Sequence, residues 1–355
     1  MESSLRILYD ARSVRTAAGR YVLLGLTIGW RSDPRVSEVF VAVRGDFDHA
    51  SLPAGINPLV LRDAGWIGHV RTVLPQLTRS ARADIIFSPN GFPPRDPRAV
   101  VYFQDLYHFR LWSSGELSLR DRTGNIMRAL WRGFALPKCM LAVSTSSQIE
   151  QEVTRRVPIP VRMIPNGVDI GSMRWTGGDD MVFVMGGTGA RKSEALALRA
   201  WASLDFSRAA SNTRLEIAGV EPAARRVQLC ALTESLGISR SVRITGAISR
   251  DDFLERIARC RVAISCSTLE AFGLPVAEAL ALGAPVLATD IPSHVELIQR
   301  AGAGETFPVN DHTALAERLC RTLAGGSPSR LAEPPVGWSW EDRAREHIDA
   351  YSLYA

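Results

Sequence analysis

Short apolar segments alternate with amphipathic helical segments along almost the whole chain, in two successive series. Strands of a parallel sheet are buried on both faces and are joined by crossover helices, so this alternation predicts an α/β fold with doubly wound parallel sheets. The first series predicts strands over residues 6–10, 39–43, 84–88, 100–103, 141–144 and 161–164. The second predicts strands over residues 181–185, 214–218, 242–245, 262–265 and 285–288.

The helical segments complete the pattern and show where it stops. Periodicity is lost over residues 171–180, and a second loose stretch covers residues 325–337. In a chain of 355 residues, two series separated in this way indicate two domains of ordinary size. The predicted helices cover residues 19–30, 69–82, 121–135, 147–155, 193–204, 225–235, 251–258, 275–282, 292–300, 312–323 and 339–352.

The composition is that of a water-soluble globular protein, with 46% hydrophobic and 22% charged residues. The first residues lack the basic start and apolar core of a signal peptide, and the apolar stretch over residues 21–30 is too short to span a bilayer. The five cysteines have no metal-type spacing, which favours reduced core residues. We therefore expect a cytoplasmic protein.

Charge is unevenly distributed along the chain. Residues 1–170 carry 22 Lys/Arg against 15 Asp/Glu, whereas the remainder carries 20 against 22. A basic N-terminal half suits an anionic membrane surface or a phosphate-bearing acceptor. Nucleic acid is not an expected partner, since no helix-turn-helix, zinc module or aromatic-basic RNA motif is present.

The most informative motif runs from Glu270 to Glu278, between a predicted strand and a predicted helix. Pro275 suits the first turn of that helix, because its missing N–H is not needed there. The backbone N–H groups of Phe272, Gly273 and Leu274 then surround a helix N-terminus, which is a favourable site for a phosphate. Two carboxylates flanking an anion site fit a ligand with phosphate in the middle and hydroxyls at both ends, as in a nucleotide sugar.

A second motif places Lys192 after a glycine-rich turn between a strand and a helix. The chain has lysine only at Lys138 and Lys192, although it has 42 basic residues. Glycines let the backbone approach a phosphate closely, and a lysine supplies a compact positive charge. This turn and its neighbour Arg191 therefore predict a diphosphate site.

Together these two motifs resemble those of family-4 glycosyltransferases, which are retaining enzymes of GT-B fold. The resemblance implies two Rossmann-like domains facing a central cleft, with the C-terminal helix crossing back to the first domain. It divides the chain into an acceptor-side domain of residues 1–170 plus 338–355 and a nucleotide-sugar domain of residues 171–337. Ala271 stands where the family usually has Gly, but the Phe-Gly-Leu-Pro core is intact.

The resemblance assigns the donor residues. It implies that Glu270 contacts the transferred sugar, that Glu278 holds the nucleotide ribose, and that Arg191 and Lys192 bind the pyrophosphate. Some members carry an Arg where this chain has Gly187, so neutralisation of the diphosphate is expected to depend more on Arg191 and Lys192. The loop with Thr245 and Gly246 is expected near the nucleobase.

Acceptor-side residues are assigned in the same way. The loop over residues 10–21 resembles one that reaches donor phosphates and acceptor, with Gly19 permitting close approach and Arg20 adding charge. Gln104 and Asp105 resemble a His-Asp segment that lies near the sugar and acceptor. Because Gln104 cannot change its charge near neutral pH, it argues against proton transfer at this position.

The expected activity is transfer of a sugar from a nucleotide-diphosphate sugar to a glycan, lipid-linked or small-molecule acceptor, with retention of configuration. GDP-mannose is favoured because the sequence resembles bacterial mannosyltransferases that build surface polysaccharides; UDP and dTDP sugars are close alternatives. No cofactor or metal is expected. Peripheral membrane contact through residues 130–134 is a further expectation. The alternatives are a sugar-nucleotide epimerase or phosphorylase-like enzyme and a non-catalytic GT-B subunit.

Overall fold

The computed structural model describes residues 4–62, 64–89, 92–104, 119–204 and 212–354. Thirteen strands are found in these residues. They are β1 Leu5–Asp10, β2 Val36–Val43, β3 Ile56–Val60, β4 Ile85–Pro89, β5 Ala99–Phe103, β6 Leu141–Ser144, β7 Val161–Met163, β8 Met181–Met185, β9 Arg214–Ala218, β10 Val242–Ile244, β11 Val262–Ser265, β12 Val286–Thr289 and β13 Glu305–Phe307.

Twelve α-helices lie between or after these strands in the described ranges, and a π-helical turn, His69–Val73, separates the second helix from the third. They are α1 Ala17–Ser32, α2 Trp66–Gly68, α3 Leu74–Ala81, α4 Leu119–Ala135, α5 Ser147–Thr154, α6 Glu194–Ala202, α7 Ala223–Ser235, α8 Arg250–Arg259, α9 Leu274–Leu282, α10 Pro292–Ala301, α11 His312–Leu323 and α12 Trp340–Tyr354.

The chain forms two compact units, Met1–Gly167 with Gly337–Ala355 and Val168–Val336. The first unit contains a seven-stranded parallel sheet of order β3-β2-β1-β4-β5-β6-β7, and the second a six-stranded parallel sheet of order β10-β9-β8-β11-β12-β13. The predicted α/β class with two doubly wound parallel sheets is therefore confirmed.

Strand order reverses once in each sheet. In the first unit the chain moves outward in one direction from β1 and in the other from β4; in the second unit the same reversal lies between β8 and β11. In open α/β sheets, ligands bind beyond the carboxyl ends of the strands at such a switch point. Each unit therefore offers one favoured place for a ligand.

The C-terminal helix α12 belongs to the first unit and packs on α1, as the resemblance implied. The approach is close, because a Cβ on Gly25 would lie 2.2 Å from Cδ2 of Trp340. His347 and Tyr351 of α12 are fully buried and reach the aromatic side chain of Trp30. Burial lowers the pKa of His347 to about 3, so this imidazole is neutral inside the unit at physiological pH.

In the residues described, no helix is long and apolar enough to cross a bilayer. In the same residues, no group of three or more His, Cys, Asp or Glu side chains could hold a metal ion.

Two edge strands were not predicted, β3 and β13. β3 lies at the edge of its sheet, where Pro58 is tolerated. Its buried and exposed residues do not alternate regularly, so its sequence lacks the pattern of a strand.

Candidate functional site

The glycine-rich turn follows β8 at the switch point of the second unit. The chain leaves β8 through Gly186 and Gly187, passes through a 3₁₀ turn, Ala190–Lys192, and enters α6. A Cβ on Gly187 would lie 2.9 Å from Cε of Lys192. The absence of a side chain at Gly187 therefore gives space to the lysine, which is 8% exposed.

The loop after β11 lies against this turn. The backbone N–H of Thr268 donates to the carbonyl oxygen of Arg191 at 2.8 Å, and the Arg191 guanidinium donates to the carbonyl of Leu269 at 3.1 Å. These contacts join segments 77 and 78 residues apart in sequence. The predicted diphosphate turn and the predicted sugar-binding loop are thus held together by a backbone hydrogen bond and by the Arg191 side chain.

Glu270 is the centre of this cluster. Its Oε1 lies 2.7 Å from a guanidinium nitrogen of Arg191 and 2.8 Å from Nζ of Lys192, and it accepts a hydrogen bond from Oγ of Ser267 at 2.9 Å. Burial alone would raise the pKa of Glu270, but Lys192 and Arg191 outweigh burial and lower it to about 2. The site therefore holds one carboxylate and two cations, with one net positive charge.

The N-terminus of α9 begins directly after this cluster. Gly273 has φ +95°, a left-handed conformation that favours glycine, and Phe272 is buried. The fully buried His294 packs against Gly273, and Nδ1 of its ring lies 3.1 Å from the carbonyl oxygen of Thr289. Burial lowers the pKa of His294 to about 4, so this neighbour of the helix N-terminus is neutral at pH 7.

Glu278 lies one turn inside α9 and is 3% exposed. Its Oε1 is 2.5 Å from a guanidinium nitrogen of Arg250, whose other terminal nitrogen donates to the carbonyl of Asp169 at 2.7 Å. Burial raises the pKa of Glu278, and the ion pair with Arg250 opposes this shift. Glu278 is thus fixed by a cation that the sequence did not predict, and its role toward a ribose stays a prediction.

A second unpredicted carboxylate supports the glycine turn. Glu194, at the start of α6, is fully buried, and its Oε1 accepts the backbone N–H of Gly187 at 3.2 Å. Its other oxygen is paired with Arg225. No signal in the sequence indicated this role, because the burial of Glu194 and its pairing with Arg225 become visible only in the folded chain.

Thr245 and Gly246, predicted near the nucleobase, follow β10 in the same unit. The carbonyl oxygens of Thr245 and Gly246 accept the backbone N–H groups of Val220 and Gly219 at 3.1 and 3.0 Å. The hydroxyl oxygen of Thr245 is buried without a hydrogen-bond partner. The segment is therefore anchored beside the loop after β9, and its contact with a nucleobase stays a prediction.

The acceptor-side candidates lie in the first unit. Gly19 and Arg20 belong to the first turn of α1, and the backbone N–H of Gly19 donates to Oγ1 of Thr16. Arg20 is hydrogen-bonded to Ser51 and lies 3.5 Å from the Asp48 carboxylate, so its charge is partly engaged within this unit. Gln104 follows β5 and is half-buried, and Asp105 lies outside the described residues.

Comparison with known proteins identifies the family of the second unit. Residues 170–333 match the family model described as glycosyl transferases group 1. This unit belongs to that family. The match covers the glycine turn, Lys192, Glu270 and Glu278.

Individual relatives agree with this assignment. The chain is 28% identical over 117 residues to O-antigen chain mannosyltransferase B of Escherichia coli, covering 32% of this chain and 30% of that protein. It is 27% identical over 176 residues to lipopolysaccharide glucosyltransferase WaaG of Escherichia coli K12, covering 50% of this chain and 44% of that protein. These alignments span less than half the length of either relative.

Solved structures establish the fold over almost the whole chain. The crystal structure of WaaG gives a TM-score of 0.66 at 18% identity, covering 98% of this chain and 96% of that one. Anabaena HepE, solved in complex with UDP-glucose, gives 0.67 at 16% identity, covering 99% and 95%. The fold is therefore GT-B, as the resemblance implied.

Proposed function

We propose that this protein is a retaining glycosyltransferase that uses a nucleoside-diphosphate sugar as donor and needs no metal cofactor. The observation that supports this most strongly is the cluster of Lys192, Arg191 and Glu270 beside the N-terminus of α9. A diphosphate would meet two cations and the free amides of Phe272, Gly273 and Leu274 at one place.

In the proposed reaction, the bond between the anomeric carbon and the leaving phosphate oxygen breaks, and its electron pair stays on that oxygen. The acceptor oxygen bonds to the anomeric carbon on the same face, and the acceptor proton passes to the leaving phosphate. Lys192 and Arg191 offset the charge that develops on the diphosphate, which is usually the largest catalytic contribution. Glu270, ionised at neutral pH, orients the sugar through its hydroxyls.

Glu278 is proposed to accept hydrogen bonds from the ribose while Arg250 holds its carboxylate. A carboxylate has about four acceptor positions, so the contact with Arg250 leaves capacity for ribose hydroxyls. In this scheme the two glutamates act as hydrogen-bond acceptors at opposite ends of the donor. A two-carboxylate hydrolase would instead need them on either side of the scissile bond.

GDP-mannose is the proposed donor, and UDP and dTDP sugars are the competing ones. Melting temperatures measured with GDP, UDP and dTDP separate them, because a ligand at 100 times its Kd stabilises the folded state by about 2.7 kcal/mol. We expect GDP to raise the melting temperature most, and product analysis to detect mannose transfer with retention. If none of the three nucleotides raises the melting temperature, the proposal is wrong.

The proposed acceptor is a glycan or lipid-linked intermediate of bacterial surface polysaccharide synthesis, reached by peripheral membrane contact. Supporting this contact, α4 exposes four large apolar side chains, Ile126, Met127, Leu130 and Phe134. Exposed apolar patches of this kind are typical of interaction surfaces. Sedimentation with anionic vesicles at low salt tests it, with Leu130→Ser expected to reduce binding and Val336→Ser, at another exposed apolar position, as control. Absence of vesicle binding by the wild type would exclude it.

Two alternatives have distinct outcomes in the same assays. A sugar-nucleotide epimerase or a phosphorylase-like enzyme would release or isomerise the sugar without any acceptor. A non-catalytic GT-B subunit would bind nucleotide without turnover over a broad acceptor set. The presence of Gln104, which cannot transfer a proton near neutral pH, is the observation that favours testing the second alternative.

A further inference from the structure

The first unit contains a cavity at its own switch point. It has a volume of about 520 Å³. It is lined by the last residue of β1 and those that follow it, by the last residue of β4, Pro89, and by α2 and the π-helical turn after it. Ligand pockets for small molecules typically measure about 300–1,000 Å³, and switch points are where open α/β sheets bind ligands. This cavity therefore has the size and place of a binding site.

A buried acid–imidazole pair lines the cavity. Nε2 of His69 lies 3.0 Å from both carboxylate oxygens of Asp10, and the backbone N–H of Arg12 donates to the same carboxylate at 3.2 Å. Because a carboxylate only accepts, Nε2 carries the proton. Asp10 and His69 are 7% and 2% exposed, so the pair is held rigidly at the wall of the cavity.

The helix that carries His69 is irregular at this residue. Between α2 and α3, the backbone forms a π-helical turn that begins at His69 and ends at Val73. Such single π-helical turns are rare and occur frequently at functional sites. The irregularity is a second observation, independent of the hydrogen bonds between His69 and Asp10, that singles out this position.

The remaining wall residues combine positive charge with aromatic surface. Arg12 and Arg15 line the cavity, and the Arg12 guanidinium is fixed by a 2.8 Å hydrogen bond to the carbonyl of Ala64. Trp66 and Phe92 are half-buried, with ring centroids 6.4 Å apart. Aromatic faces accommodate the C–H face of a sugar ring, and guanidinium groups bind carboxylates and phosphates.

We propose that this cavity binds a sugar ring that carries an anionic group, a phosphate or a carboxylate. Asp10 accepts a hydrogen bond from a ring hydroxyl, Trp66 and Phe92 contact the apolar face, and Arg12 and Arg15 pair with the anion. The assignment of this ligand as the glycosyl acceptor rests on the function proposed above; the binding site itself does not.

The test uses ligand-observed NMR with the full chain and three probes: glucose 1-phosphate, glucuronate and methyl α-glucoside. We expect both anionic probes to bind at least about tenfold more tightly than the neutral one, since hydrogen bonds to charged groups contribute more than neutral ones. Arg15→Gln should remove that preference, whereas Arg79→Gln, at an exposed position of α3, should not. Equal affinity for the three probes, or an unchanged preference in Arg15→Gln, would overturn the proposal.

Two further variants separate this site from the donor site. Asp10→Asn should weaken the binding of all three probes. A melting curve checks that this variant folds, and if it does not fold, Arg15→Gln decides the outcome. Lys192→Ala should leave binding of glucose 1-phosphate unchanged; its loss in that variant would assign the probe to the second unit and contradict the proposal. If GDP, UDP and dTDP all fail to bind while Arg15 still controls sugar-phosphate binding, the proposed function fails and this inference stands.

Discussion

The two switch points of this protein have the same topology but present different side chains to a ligand. In the second unit, two cations converge on one carboxylate oxygen of Glu270 beside a helix N-terminus. In the first unit, a carboxylate, Asp10, is held by an imidazole and a backbone amide, with arginines and aromatic rings around it. Parallel sheets thus determine where a ligand can bind, while the loops after the strands determine which ligand binds.

The difference extends to how charge is compensated. Lys192 and Glu270 are nearly buried, so solvent screens the attraction between their charges only weakly. Arg15, in contrast, is exposed at the cavity of the first unit. A diphosphate at the second unit would therefore interact strongly with preorganised cations, and an anionic sugar at the first unit would interact more weakly.

The largest expected effect comes from removing the buried lysine. Lys192→Ala should lower kcat by about 100- to 1,000-fold, the loss typical of removing one preorganised electrostatic contact to a developing charge. The change is measured by steady-state turnover with saturating donor, and a melting curve checks the fold. The exposed Lys138, in the first unit, provides a matched control, because Lys138→Ala removes the same charge away from both sites.

This substitution also tests the comparison between the units. Nucleotide binding should fall in Lys192→Ala, and sugar-phosphate binding at the first unit should persist. Turnover within twofold of wild type would contradict the role of the lysine cluster. Loss of both kinds of binding together would contradict the independence of the two sites.

The central strands of both sheets were predictable, as were the edge strands β7 and β10, whereas the opposite edge strand of each sheet, β3 and β13, was not. Strands such as β8 and β11 are entirely buried and read as short apolar runs in the sequence. The edge strand β3 contains Pro58 and is largely exposed, and β13 has only three residues. Their pairing depends on a neighbouring strand, which local sequence does not encode.

The candidate site was predictable only in part, for a similar reason. The motif around Glu270 and the glycine turn before Lys192 are local patterns, and the structure brings them together. Arg250 reaches Glu278 from 28 residues away, and His69 reaches Asp10 across 59 residues. Such partners are determined by strand order and helix packing, so they become visible only once the chain is folded.

The pH dependence of stability offers a smaller but distinctive test of the ion cluster. The pKa of Glu270 is lowered in the folded state from 4.5 to about 2, so its ionised form stabilises the protein above the unfolded pKa and this contribution is lost as the pH falls toward 2. This shift of the pKa contributes about 3 kcal/mol to the free energy of unfolding at neutral pH. The difference in stability between wild type and Glu270→Gln, measured by urea unfolding, should be constant from pH 7 to pH 5 and decrease below pH 4.5.

The matched control for this test is Glu234→Gln, at an exposed position of α7. The free energy of unfolding of this variant should follow that of wild type over the whole pH range, because the exposed Glu234 lies outside the ion cluster. A stability difference for Glu270→Gln that has already vanished at pH 5 would mean that Lys192 and Arg191 do not hold the carboxylate in its ionised form.

The smallest effect is expected where the glycine turn gives space to the lysine. A Cβ on Gly187 would meet Cε of Lys192 at 2.9 Å, so Gly187→Ala should push the flexible side chain aside and lower kcat on the order of tenfold, since misplacement of a catalytic group by about 1 Å costs up to 100-fold. Gly178→Ala is the control, because a Cβ there has no neighbour within 4 Å. Equal activity of the two variants would show that the position of Lys192 is not critical. A loss confined to Gly187→Ala, with sugar-phosphate binding at the first unit unchanged, would tie catalysis to the geometry of this one turn.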